Sequence, residues 1–255
     1  MPHPRWKLLF LLPLLACAFS GCVPVGFSAQ VGYASMNVGG DLALESGGAA
    51  AIDQGIDSAF GLGDSQGSPY YRAQVDLGGP VLTGSMFWLR EDGEGQLQDA
   101  FGSLSSGTAV ESRLDLGVAK ISAAYDIDLG VVKIAPGVMC DVFALDFTAR
   151  ELVLGGREEI DDVAFAPMPF VRAEGGLGPV TAVGELGYFD ASGLGDRDGT
   201  FLDFEGMIEW NPLPLAHAFV GYRYIGVDAS GESGGDDFAT DLQIQGWVLG
   251  GGIRF

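Results

Sequence analysis

Along Thr200–Trp210, Leu202, Phe204, Ile208 and Trp210 share one parity, while Asp203, Glu205 and Glu209 share the other. A period of two marks a strand with unlike faces. One face here suits lipid or a core, and the other is charged. Weaker versions of the same alternation run through Phe27–Val38, Tyr70–Leu77, Val81–Arg90, Ser112–Ile127, Val131–Thr148, Val163–Glu174, Val180–Phe189, Ala216–Asp228 and Thr240–Phe255. Beyond Gly21 no apolar run reaches the roughly 20 residues that a membrane helix needs. If such a chain crosses a membrane, it does so as strands closed into a barrel, because lipid offers no partner for unpaired backbone groups.

The faces are not equally clear. Tyr71, Ala73, Val75 and Leu77 oppose Arg72, Gln74 and Asp76, but the two faces of Val81–Arg90 cannot be told apart. Ser112–Ile127 begins with Leu114, Leu116 and Val118 in one phase and ends with Ile121, Ala123 and Tyr125 in the other, which predicts a bulge near Lys120. Pro167 and Pro169 remove ladder donors from Val163–Glu174, so that strand is expected to be bulged or interrupted. Short turns near Gly79, Leu129, Leu177 and Pro212 alternate with five longer, acidic connections, the first carrying a helical turn near Ala49–Phe60. Short turns at one end and long loops at the other are the asymmetry of a membrane barrel. The count is about ten strands, with eight as the alternative given the weak third and sixth.

Charge narrows the function classes. Thirteen Lys and Arg face 34 Asp and Glu, a formal net charge of -21, which excludes nucleic acid as a partner because phosphates need a basic surface. The start of the chain has the layout of an export leader: Arg5 and Lys7, an apolar run Leu8–Phe19, then Ser20-Gly21-Cys22. With Cys17 and Cys22 in or next to the leader, Cys140 is the remaining thiol, and no disulfide or sulfur metal site can be built.

The final stretch TDLQIQGWVLGGGIRF, ending on Phe255, resembles the terminal signal of outer-membrane barrels of Gram-negative bacteria. The chain as a whole resembles the small, functionally uncharacterised members of that class. The resemblance implies an all-β, transmembrane, antiparallel up-and-down barrel over residues 27–255, located in the outer membrane, with Phe255 read by the barrel-insertion machinery. Phe19-Ser20-Gly21-Cys22 resembles the lipobox of bacterial lipoproteins, although Phe19 stands where Leu is usual. It implies that 1–21 is removed, that Cys22 is acylated and that 22–26 is a short tether. Processing at Cys17 or near Ala29 are the alternatives.

Candidate site residues follow from the inward parity. Arg72, Lys133, Arg172, Arg223 and Arg254, with Asp141, Glu174, Glu185, Asp203, Glu205 and Glu209, are expected inside the barrel. They should pair there, since a buried charge without a partner costs several kcal/mol. Arg254 is matched to Glu174 or Glu209. Enzymatic barrels of this class have recognisable sites: outer-membrane aspartyl proteases use acidic pairs and an Asp-His pair near the outer rim, and barrel-type lipid A deacylases use His and Ser on one strand face. His217, the single histidine after the leader, lies beside the Pro212 turn and fits neither. Asp196 and Asp198 look like the start of a calcium loop, but its closing Glu is missing. The expectation is therefore a non-enzymatic barrel with a plugged interior, no cofactor and a structural or surface-interaction role. Its partners would be outer-membrane lipids and lipopolysaccharide, the acidic loops holding divalent cations weakly. A narrow channel for small solutes is the alternative.

Overall fold

Ten antiparallel strands close on themselves. In chain order they are β1 Gly26–Leu44, β2 Gln66–Asp76, β3 Pro80–Gln96, β4 Ala109–Tyr125, β5 Val132–Glu151, β6 Arg157–Leu177, β7 Val180–Asp190, β8 Asp198–Trp210, β9 Ala216–Ser233 and β10 Asp236–Arg254. Each pairs with the next, and β1 pairs with β10 from Ser28↔Arg254 to Leu44↔Phe238, which closes the barrel. The computed structural model describes residues 26–44, 52–153, 155–191, 198–233 and 236–255, side chains excepted at 198 and 231–238. Two-residue strands at Gln54–Gly55 and Ile127–Asp128 add to β1 and β5, and a short helix α1, Ile56–Phe60, sits between β1 and β2. The described chain begins and ends at the short-turn end, where Phe27 and Phe255 exchange backbone hydrogen bonds of 3.1 and 2.8 Å.

The outer wall is apolar where the sequence alternates. On β5 the outward residues Ala144, Val142, Cys140, Val138, Pro136 and Ile134 cover ten residue steps. At ~3.4 Å per step and a tilt near 40°, that is about 25 Å along the membrane normal, the height of a barrel's lipid-facing band. Phe165, Val138, Trp247, Leu249 and Trp210 are all more than half exposed on this surface. A water-facing protein would not present so large an apolar area. These are side chains placed for lipid.

Three expectations are corrected. The ladders of β4 with β3 and with β5 run without a break through Lys120, so there is no bulge. Leu114, Leu116 and Val118 simply point inward along with Lys120, while Ile121, Ala123 and Tyr125 point out. The phase does not slip; the interior itself changes from apolar to charged at that height. The strands also reach further at the long-loop end than the alternation suggested: β3 continues to Gln96, β6 begins at Arg157, and β9 and β10 fill most of the span between Asp228 and Thr240. Rising above the lipid, they carry charge outside, which hides the period. Finally, Pro167 and Pro169 leave the register of β6 with β5 unbroken from Arg150↔Arg157 to Val132↔Gly175, whereas the ladder with β7 ends at Phe170, beside Pro169. Of the helical turn sought near Ala49–Phe60, residues 52–60 are described and hold α1, whereas 49–51 lie outside the described residues.

Glycine makes close packing possible at Gly32 and Gly250, adjacent inward positions on β1 and β10. A Cβ on either would lie 3.0 or 2.9 Å from the ring of Phe219, which reaches over both. Gly250→Val is expected to lower the stability of the refolded barrel by about 1–3 kcal/mol, because its Cβ would lie 2.3 Å from the Val31 carbonyl oxygen as well as against the ring, so that both must shift. Gly39→Val, where a Cβ would meet nothing within 4 Å, is the control. Urea midpoints of the two variants in detergent check the contrast.

Candidate functional site

The alternation that puts acids and bases inward brings two rows of them face to face. Arg72, Ser85, Lys120 and Asp141 are successive register partners across β2, β3, β4 and β5. Arg172, Glu185, Glu205 and Arg223 are successive partners across β6, β7, β8 and β9. All but Ser85 are ionisable, and every one is buried. Strand register thus sets one ionisable side chain on each of these strands except β3, and the closed barrel folds the two rows together.

Lys120 is the hub. Its ammonium lies 2.6 Å from Glu205, 2.9 Å from Glu185 and 3.5 Å from Asp203. Arg72 bonds Glu205 at 3.0 Å and also pairs with Glu185, and Tyr70 donates its hydroxyl proton to Glu205. Arg223 holds Asp203 at 2.8 Å and lies 3.6 Å from Asp141, with its guanidinium 5.4 Å from the ring centroid of Phe87. Arg172 pairs with Glu174 and reaches toward Glu185 at 3.6 Å. The carboxylate of Asp141 accepts no hydrogen bond from the protein. Desolvating so many charges is costly, and only this mutual arrangement offsets it.

Eight of the inward candidates therefore converge here: Arg72, Asp141, Arg172, Glu174, Glu185, Asp203, Glu205 and Arg223. The remaining three do not. Arg254 pairs with Glu209 at 2.6 Å nearer the short-turn end, where Gln30 also donates to Glu209 at 2.6 Å and sits 3.0 Å from Nε2 of His217. Lys133 is at the mouth, 42% exposed and 3.5 Å from Asp126. Sequence reasoning missed Lys120, Tyr70 and Gln30. Lys120 could have been found by continuing the phase of Leu114, Leu116 and Val118 without a bulge.

Above and below this layer the bore is different. Toward the long-loop end it is filled by an apolar plug in which α1 seats Phe60 against Phe101 and Phe147, ring centroids 5.1 and 5.0 Å away in edge-to-face contact. Leu89, Leu116, Val118, Ile56 and Leu62 pack around them, all buried. Toward the short-turn end lies a cavity of about 190 Å³ lined by Gln74, Asp76, Asp126, Lys133, Glu174 and Arg254.

Just above the lipid-facing band the outer wall turns charged. Arg90, Asp115, Asp146 and Asp161 are register partners across β3 to β6. Asp190, Thr200, Asp228, Asp241 and Asp41 continue the collar across β7 to β10 and β1. Partial burial, with Asp161, Glu159 and Asp115 nearby, pushes the Asp146 carboxyl above its ordinary range. A carboxyl whose folded pKa is raised binds its proton more tightly in the folded state, so its contribution falls as pH rises from the unfolded pKa through the folded one. Asp146→Asn is therefore expected to raise the thermal midpoint slightly at pH 7, with the gain vanishing at a pH below the ordinary aspartate pKa. Midpoints at the two pH values check it.

Among the described residues, no three His, Cys, Asp or Glu side chains gather as a metal site. Asp196, Cys22 and the leader lie outside the described residues, as does the side chain of Asp198.

No protein-family model matches the chain, and no curated protein matches it in sequence. Solved structures do resemble it. The outer membrane protease OmpT from Escherichia coli superposes with a TM-score of 0.55 at 11% identity, over 93% of this chain and 98% of that one. Neisserial surface protein A gives 0.38 at 13% identity over 90% and 97%, and the attachment invasion locus protein Ail of Yersinia pestis gives 0.37 at 12% over 91% and 99%. What is shared with the protease is the fold. The fold is that of a Gram-negative outer-membrane barrel, and with the apolar band it assigns the chain to that membrane.

Proposed function

We propose that this is a closed barrel with a structural or surface-interaction role, working at its outer face and not by conduction. The observation that carries the reading is that the bore is filled twice, by the Lys120-centred charge layer and by the Phe60, Phe101 and Phe147 plug above it. Each alone would stop a hydrated ion. The reading expects no discrete current steps when purified protein is added to a planar lipid bilayer. Stepwise conductance would favour the alternative, a narrow channel or carrier for small solutes. Nothing in the role requires an enzyme, and the reading is supported by His217 contacting the amide of Gln30 at the short-turn end.

The partners belong to the membrane. The outward arginines Arg90, Arg113, Arg150 and Arg157 lie on the β3 to β6 side, level with or above the collar, where lipopolysaccharide phosphates would meet them. Phe255, exposed at the short-turn rim, suits recognition by the insertion machinery. Cleavage before Cys22 and acylation of that cysteine would add a lipid at the same end. The intact mass of the mature protein decides this: an unacylated amino terminus or cleavage elsewhere removes the proposal.

A further inference from the structure

The charge layer does not balance. Arg72, Lys120, Arg172 and Arg223 bring four positive charges to it, whereas Asp141, Glu174, Glu185, Asp203 and Glu205 bring five negative ones. Tyr70 adds a hydroxyl and no charge, and below the layer Arg254 is matched by Glu209. One carboxylate is left over. Within the layer, Glu174 apart, no charged side chain is more than 5% exposed, so water does not screen the surplus.

The surplus falls on Asp141. Glu205 receives Lys120, Arg72 and the Tyr70 hydroxyl, Glu185 receives Lys120 and Arg72, and Asp203 accepts from Nε and Nη2 of Arg223 at 3.2 and 2.8 Å. Glu174 keeps Arg172 and reaches the short-turn cavity. Neither oxygen of Asp141 has a hydrogen-bond partner. The ion pair it makes is to Nη2 of Arg223 at 3.6 Å, a nitrogen already given to Asp203, and beside it the two carboxyl groups meet. Of the strands flanking Asp141, β4 offers Lys120, whose ammonium is turned to Glu205, Glu185 and Asp203, and β6 offers only Ala166. An ionised carboxylate accepts and cannot donate, so two of them in contact have no hydrogen bond to make until one holds a proton. Carboxylates that share a dry site do not both ionise.

We propose that Asp141 and Asp203 form a buried proton-binding site, in which Asp141 is a carboxylic acid that donates to the Asp203 carboxylate. The proton supplies the positive charge that the layer lacks, and it needs no space. A metal ion in its place would need a shell of free oxygens, and those of Asp203 are already held by Arg223. In the unfolded chain at neutral pH Asp141 meets water and ionises. Folding therefore takes up one proton at this site, so closure of the bore is linked to pH whatever the barrel does at its outer face.

The test is infrared spectroscopy of the full barrel at neutral pH, folded in a detergent without ester carbonyls and checked by heat-modifiable migration. The parent is expected to show the C=O stretch of a protonated carboxylic acid. Isotope-labelled aspartate should move that band, which identifies it without any substitution, and Asp141→Asn should remove it. Urea unfolding gives a second reading: between about pH 5.5 and 7.5, where an unfolded aspartate is ionised, the folding constant of the parent should fall about tenfold per pH unit relative to that of Asp141→Asn. Groups common to both proteins, His217 among them, cancel in that ratio. Absence of the acid band from the parent, a band that labelled aspartate does not move, or its survival in folded Asp141→Asn overturns the proposal. A missing band together with a urea midpoint that rises with sodium at fixed ionic strength also overturns it, and puts a metal cation in the proton's place.

Discussion

Lys120→Met is expected to destabilise the barrel by about 3–5 kcal/mol, because it leaves Glu185, Asp203 and Glu205 buried around a missing cation. The side chain is 1% exposed, so water cannot take the ammonium's place. Arg72 still pairs with Glu185 and Glu205, and Arg223 with Asp203, but these two guanidinium groups are then left to balance three carboxylates. Unfolding in urea from detergent micelles, followed by heat-modifiable migration, measures the loss. Adding Glu205→Gln should recover part of it, since it removes one of the carboxylates that Lys120 no longer helps to balance. Asp141→Asn is the contrast: a carboxylate that accepts no hydrogen bond should be replaced at a cost of no more than about 1 kcal/mol. Equal effects from Lys120→Met and Asp141→Asn would show that the layer is not held by its hub.

The second large effect is local. Phe60 is fully buried and edge-on to Phe101 and Phe147, and truncating such a ring to alanine costs about 3–5 kcal/mol. Yet it belongs to a connection between β1 and β2, not to the ladder, so the loss falls on the plug and not on the barrel. Phe60→Ala should raise the open fraction of the plug by about two to three and a half powers of ten, at about 1.4 kcal/mol per tenfold. Protease cleavage between residues 45 and 65 should accelerate accordingly while the urea midpoint of the barrel stays near that of the parent. Conductance should remain absent, because the charge layer below is untouched. A fall in the global midpoint equal to the local loss would mean that plug and barrel unfold as one unit.

How much of this was legible depended on what each strand borders. β8 was plain, since lipid lies on one side and buried carboxylates on the other for most of its length. β3 was not, because Thr83, Ser85, Phe87, Leu89 and Glu91 all point inward, through the charge layer, then the plug, then the polar rim. An inner face that is polar, apolar and polar again has no single hydropathy. The same change of lining inside β4 mimicked a bulge at Lys120 and concealed the most connected residue of the interior.

Composition and the period of two determined, without any structure, that the chain makes strands, that a closed barrel is the way it can meet lipid, and that its acids and bases share one inner surface. Those are local properties: side-chain parity follows from the pleat, and pairing of buried charge follows from its desolvation cost. Which charge meets which was decided only by closure. The register that sets Arg72, Ser85, Lys120 and Asp141 in one row and Arg172, Glu185, Glu205 and Arg223 in the opposite one depends on every ladder at once. The end of the β6–β7 ladder at Phe170↔Gly187 is likewise a property of two neighbouring strands and not of either alone.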